Sequence, residues 1–162
     1  MNWIQQPAGE GHQQFQLVNS DTVLCTAIYQ PSAGTVRISQ DQQKRNFIFR
    51  KKGLLKTKTL LENEYGVMLA NLVPDKNDVN SGIINMEENH FHYSFSAIAG
   101  KEITIYEQNN FTPFATCGLP SSAANDKHSA QLMLMTFCWY LEFAQLLDIK
   151  KTKPVIAHPT LH

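Results

Sequence analysis

The stretch Leu132 to Leu147, LMLMTFCWYLEFAQLL, decides how the rest of the chain must be arranged. Eleven of its sixteen residues are large and apolar. On a helical wheel they cover the whole circumference except one narrow stripe, where Gln131, Cys138, Glu142 and Gln145 fall together. A surface helix carries an apolar arc only a little over ~100° wide, and a helix apolar nearly all round is normally buried. A membrane span would need about 18 apolar residues in succession, and Thr136, Glu142 and Gln145 interrupt this run. An exposed helix in a tight dimer is the other reading. Enclosure of a helix over about 125–149 by the same chain accounts best for the pattern. Lys150, Lys151 and Lys153 suit the negative end of its dipole, and Pro154 stops its continuation.

Working outward, the preceding residues read as a series of short strands separated by turn residues. Gln14–Asn19 and Thr22–Tyr29 flank Asn-Ser-Asp, a good tight turn. Pro31–Gly34 leads into Thr35–Gln40, and Asn46–Arg50 sets Phe47 and Phe49 on one face. Lys56–Leu61 and Val67–Val73 form a hairpin around Glu62–Gly66. After the turn-rich segment Pro74–Gly82 come Ile83–Met86, His90–Ser96, Lys101–Tyr106 and Phe111–Cys117. Short strands with a turn signal about every ten residues mark a sandwich or barrel, and their alternation gives sheets with one apolar and one solvated face. The fold expected is mainly β: an antiparallel barrel of about 10–12 strands wrapped around one hydrophobic C-terminal helix. Closure also removes exposed sheet edges. At 162 residues the chain reads as one domain, with strands over about 14–118 and loose or edge-packing tails at 1–12 and 152–162.

This succession resembles the tubby C-terminal-like superfamily, with its LURP-one-related and phospholipid-scramblase-like branches. The hairpin RNFIFRKKGLLKTKTLLENEYGVMLANLV is similar to the family pattern of a basic strand, a turn with glycine and an apolar strand. The resemblance implies a twelve-stranded barrel threaded by the helix, and it hints at lipid or phosphoinositide binding. It carries no binding motif that can be matched residue by residue.

Composition favours no partner by itself, because 14 basic residues balance 14 acidic ones and only 17% of residues are charged. The bias is local. Eight of the basic residues lie between Arg37 and Lys58: Arg37, Lys44, Arg45, Arg50, Lys51, Lys52, Lys56 and Lys58, with Asp41 the only acid among them. One reading is a solvated face whose lysines discourage edge pairing. The other is a ligand-binding surface for phosphates of an anionic lipid, each nearby basic residue contributing about 1 kcal/mol, or for a protein partner. Neutral net charge argues against nucleic acid. A lipocalin-like or START-like carrier of a small apolar ligand is the competing function, with the helix as a lid.

Other chemistry finds little support. The chain has no G-x-S-x-G, P-loop, dinucleotide fingerprint or H-E-x-x-H, so no catalytic residue or cofactor is expected and the protein reads as a non-enzyme. His90 and His92 share one strand face but lack the further ligands of a metal site, so no metal is expected there. Asp75, Asn77, Asp78 and Asn80 lack the ligand spacing of a calcium loop. A cysteine nucleophile, Cys25 or Cys117 with His90 or His92, is conceivable on composition alone. Three cysteines without metal spacing and an N-terminus without signal-peptide pattern lead to the expectation of a reducing, cytoplasmic location, with membrane contact peripheral and no transmembrane segment.

Overall fold

A computed structural model describes residues 1–53, 58–78, 80–96, 102–120 and 133–140. Its strands are β1 (Asn2–Gln6), β2 (Gln13–Asn19), β3 (Thr22–Gln30), β4 (Thr35–Gln40), β5 (Gln43–Lys52), β6 (Lys58–Asn63), β7 (Met68–Pro74), β8 (Ser81–Met86), β9 (Asn89–Ser96), β10 (Glu102–Glu107) and β11 (Pro113–Gly118). Each pairs antiparallel with its predecessor, and β1 closes the barrel against β11. Residues 133–140 form a helix, α1.

Ten of these strands follow the turn residues named above. Two-residue hairpin turns need left-handed backbone that matches strand twist, and Ser20–Asp21 and Asp41–Gln42 both adopt it, with φ of 44° and 68°, then 45° and 67°. The eleventh strand corrects the expectation for residues 1–12. Asn2–Gln6 is not a loose end but the strand that completes the wall, paired with β2 over its whole length and parallel to β11 through Asn2 and Gly118. The Gly118 amide donates to the Met1 carbonyl at 3.0 Å. NWIQQ lacks clean apolar alternation, and its second neighbour lies at the far end of the sheet, so no local pattern reveals it.

One row of side chains per strand points inward. Register joins Trp3, Leu17 and Cys25; Phe15, Ala27 and Ile38; Leu72, Ile84 and Phe91; and Ile103 and Cys117. All are buried. Helix α1 lies inside this wall. Met133 to Trp139 are buried without a break, although successive residues point ~100° apart, so protein surrounds α1 on every side. Phe137 packs edge-on against Phe47 and Phe49 of β5, with ring centroids 5.0 and 5.9 Å apart. Trp139 meets Phe91 of β9 at 5.7 Å. Cys138, the described member of the polar stripe, is buried too. Leu141, Glu142, Phe143 and Gln145 lie outside the described residues, as do Leu132 and the C-terminal tail.

The alternation slips at three places, each near the start of an odd strand. Register shifts occur between Leu17 and Val18, Leu61 and Glu62, and Ile105 and Tyr106. Strict alternation would turn Val23, Met68 and Pro113 inward, beside Cys25, Ala70 and Ala115. Instead they stand opposite the outward-row residues Val18, Glu62 and Tyr106. The extra residue at each bulge, Leu24, Leu69 or Phe114, packs against the core. A bulge re-aims side chains in this way, and the small inward residue that follows leaves space for it.

Gly82 illustrates how tightly the wall is filled. It faces inward opposite Tyr93, and a Cβ there would overlap the Tyr93 ring and stand 2.6 Å from the Val73 carbonyl oxygen. Overpacking of a filled core costs about 1–3 kcal/mol. Gly82→Ala is therefore expected to lower the unfolding free energy by that amount, read as a lower urea midpoint, and an unchanged midpoint would show slack at this place in the wall.

Candidate functional site

Because the hairpins alternate, the barrel has two rims. The upper rim carries the turns β2–β3, β4–β5, β6–β7, β8–β9 and β10–β11, while the lower rim carries the others. Strand β5 holds most of the basic stretch and runs from upper to lower rim, so the fold spreads these residues along its length.

Seven of the eight candidates are described, and Lys56 lies outside the described residues. Arg37 and Lys44 face outward: Arg37, in mid-strand of β4, pairs in register with Asn46, and Lys44, at the upper rim, with Ser39. The Arg37 Nε donates to Asn46 Oδ1 at 3.4 Å. Arg45 stands opposite Ile38, in the inward row at the upper rim, and donates to the Tyr140 hydroxyl at 3.1 Å and to Gln43 Oε1 at 3.3 Å. It thus ties the end of α1 to β5. Arg50 is on the outer face and ion-paired with Glu62 at 2.7 Å, an exposed contact of the kind worth at most about 1 kcal/mol. Lys51, Lys52 and Lys58 are exposed at the lower rim. Lys52 and Lys58 stand directly opposite each other across β5 and β6.

The stretch is therefore two outer groups rather than one patch. Asn46, beside Arg37, and Lys52 are six residues apart on one strand, or roughly 20 Å at ~3.3 Å per residue. That is about twice the distance over which exposed charges are screened near physiological salt. Sequence proximity could not show this, because neighbours in an extended strand diverge and alternate in direction.

An open cavity of about 120 Å³ lies beside Arg37, lined by His12, Ile28, Gln30, Thr35 and Asn46. Pockets for small organic ligands are usually ~300–1,000 Å³. A carrier's ligand would have to lie inside the strands, among the buried side chains of the inward rows and of Phe137 and Trp139. The wall is apolar within and mainly polar without, the reverse of a transmembrane barrel. Among the described residues no helix is long and apolar enough to cross a membrane.

The remaining candidates are placed by the same alternation. Cys25 and Cys117 are buried inside the wall, whereas His90 and His92 are exposed in the outward row of β9, so the sheet itself separates thiol from imidazole. His90 Nδ1 lies 2.7 Å from Asn85 Oδ1. Asp75 and Asp78 accept from the backbone amides of Asn77 and Asn80 at 2.7 and 2.9 Å, which closes the β7–β8 turn. Among the described residues no group of three or more His, Cys, Asp or Glu side chains could hold a metal ion. No protein-family model, curated protein or solved structure matches the chain.

Burial pushes the Cys25 thiol up from 9.0 to about 12, opposed by a hydrogen bond to the Leu17 backbone and reinforced by Cys117. Burial likewise raises Tyr93 from 10.0 to about 12. The folded state keeps these protons while the unfolded chain releases them above pH 9 and 10. The stability these two groups contribute is therefore fully present below pH 9 and is lost as pH rises toward 12, by up to ~1.4 kcal/mol per pH unit for each group. Urea titrations at pH 8 and 10.5 should show the loss, and equal midpoints would contradict the buried, protonated thiol.

Proposed function

We propose that the protein is a non-enzymatic barrel of the tubby-like kind that docks on an anionic lipid surface through the lower-rim end of β5 and β6. The carrying observation is the Lys52–Lys58 pair. Like charges directly opposite on neighbouring strands destabilise a sheet, and no carboxylate among the described residues pairs with either lysine. Lys51 adds a third positive charge at the same rim. An anionic surface would relieve the repulsion, each nearby lysine contributing about 1 kcal/mol. A closed wall whose described inward residues pack against α1 supports the same reading, because it favours recognition by outer faces and rims. In this reading the protein is cytoplasmic and peripheral to a membrane.

Sedimentation with phosphatidylcholine vesicles, alone and with phosphatidylserine added, tests this directly. Binding should require the anionic lipid and fade at high salt. Replacing Lys51, Lys52, Lys56 and Lys58 with Gln should abolish sedimentation and leave the melting temperature nearly unchanged, since exposed charges contribute little to folding. Equal binding to both vesicle types would indicate apolar insertion. No binding to either would return the stretch to a solvated face, or leave it to a protein partner.

A further inference from the structure

Among the described residues, the exposed large hydrophobics Val23, Tyr65, Val67, Met68 and Phe111 all belong to upper-rim hairpins, and Ile4 alone of that described set lies elsewhere. Tyr65 is 82% exposed and Phe111 98%. Neither hairpin needs these side chains for its shape. In β6–β7 the Asn63 Oδ1 accepts from the amides of Tyr65 and Val67 at 3.0 and 2.9 Å, and Gly66 supplies the left-handed backbone with φ of 76°. In β10–β11 the Asn110 Oδ1 accepts from the Thr112 amide at 3.0 Å, and Asn109 supplies φ of 67°. The turns are thus closed by asparagines, while the apolar side chains stand outside on preorganised tips. The bulges act in the same direction, turning Val23 and Met68 out of the inward row.

Charge surrounds these tips. Asp21, Asp41, Glu64, Glu87, Glu88 and Glu107 are exposed on the upper rim, against Lys44 and the Tyr140-bonded Arg45. Around the wall the order is β6–β7, then β8–β9, then β10–β11. The Glu87–Glu88 turn therefore lies midway between the Tyr65–Met68 tip and the Phe111 tip. Four strand spacings of ~4.8 Å put the two tips roughly 20 Å apart along the arc.

The geometry points to the upper rim as the docking surface for an amphipathic helical segment of a partner protein, apolar toward both ends and cationic between them. A helix of about 13 residues, at 1.5 Å per residue, spans the distance. Its apolar ends would cover the Tyr65–Met68 tip and Phe111, and its Lys or Arg side chains would meet Glu87 and Glu88. Acidic residues around the tips favour this cationic partner over an anionic membrane, and the surface lies at the opposite rim from Lys52 and Lys58. This inference is independent of the lipid reading.

The test is selection of the full-length protein against a displayed library of random peptides of about 16 residues, long enough for the span. An enriched peptide would then be labelled and titrated by fluorescence anisotropy. Enriched sequences should place Lys or Arg between apolar residues. Tyr65→Ser with Phe111→Ser, and separately Glu87→Gln with Glu88→Gln, should each weaken binding at least tenfold without moving the melting temperature. Lys52→Gln with Lys58→Gln should leave it unchanged. Enrichment without cationic residues, or affinity untouched by either upper-rim variant, overturns the proposal. So would phosphatidylcholine-vesicle binding lost in the Tyr65/Phe111 variant, which makes the tips a membrane anchor. A concentration-dependent dimer dissolved by that variant makes the occupant a second copy of this chain.

Discussion

Leu134→Asp is expected to leave no folded protein. Leu134 is fully buried within a run in which Met133 through Trp139 are all covered, so an aspartate there is cut off from water. Burying an ionised carboxylate costs far more than the total stability of a typical domain, ~5–15 kcal/mol, and the group escapes only by neutralising or by unfolding the surroundings. Aspartate at Tyr65, 82% exposed on a hairpin tip, should leave the melting transition within a few degrees of wild type. Soluble yield and circular-dichroism melting of the two variants separate the outcomes. A cooperative transition retained by Leu134→Asp would mean that α1 is not enclosed, and the architecture would have to be redrawn with the helix on a surface.

The second large effect is expected at the seam. Trp3 and Ile4 are adjacent, yet Trp3 is 2% exposed and Ile4 45%. Strand β1 meets β11 through a single register pair, Asn2 with Gly118, so its place between β2 and β11 depends strongly on the buried indole. Truncating a buried Trp to Ala costs about 3–5 kcal/mol. For a chain of this size each kcal/mol lowers the melting temperature by ~2–4 °C, giving a drop of roughly 6–20 °C for Trp3→Ala. Ile4→Ala, on the outer face, should fall within ~0.5 kcal/mol of wild type. Similar small shifts for both would mean that β1 is dispensable to closure. A selective rise in amide exchange along β2 and β11 in Trp3→Ala would locate the damage at the seam.

Most strands were legible in the sequence because turns and alternation are local. Asn19-Ser20-Asp21, Pro31–Gly34 and Asn109-Asn110 each confine the chain within a few residues, whatever it later packs against. Enclosure of the helix was legible for a related reason: a segment apolar around its circumference has no face to offer water, and Phe137 and Trp139 are indeed buried against β5 and β9. The candidate site was legible only as composition. The basic residues can be counted from Arg37 to Lys58, but which of them share a place depends on strand direction and register. Arg45 falls in the inward row and bonds Tyr140, Arg50 takes Glu62, and Lys52 faces Lys58. The upper-rim tips carry a local signal of their own: two large apolar residues, Tyr65 and Phe111, in turns already closed by Asn63 and Asn110.

The sequence by itself determined that this chain makes many short antiparallel strands and one helix needing cover on all sides, because both properties are set by residues adjacent along the backbone. Tertiary structure alone decided three further things. It placed Asn2–Gln6 in the wall, because the pairing of Asn2 with Gly118 joins opposite ends of the sheet. It turned Val23 and Met68 outward, because a bulge is a property of two strands in register and not of either one. It divided the charges between two rims, because inside, outside, upper and lower exist only after the barrel has closed.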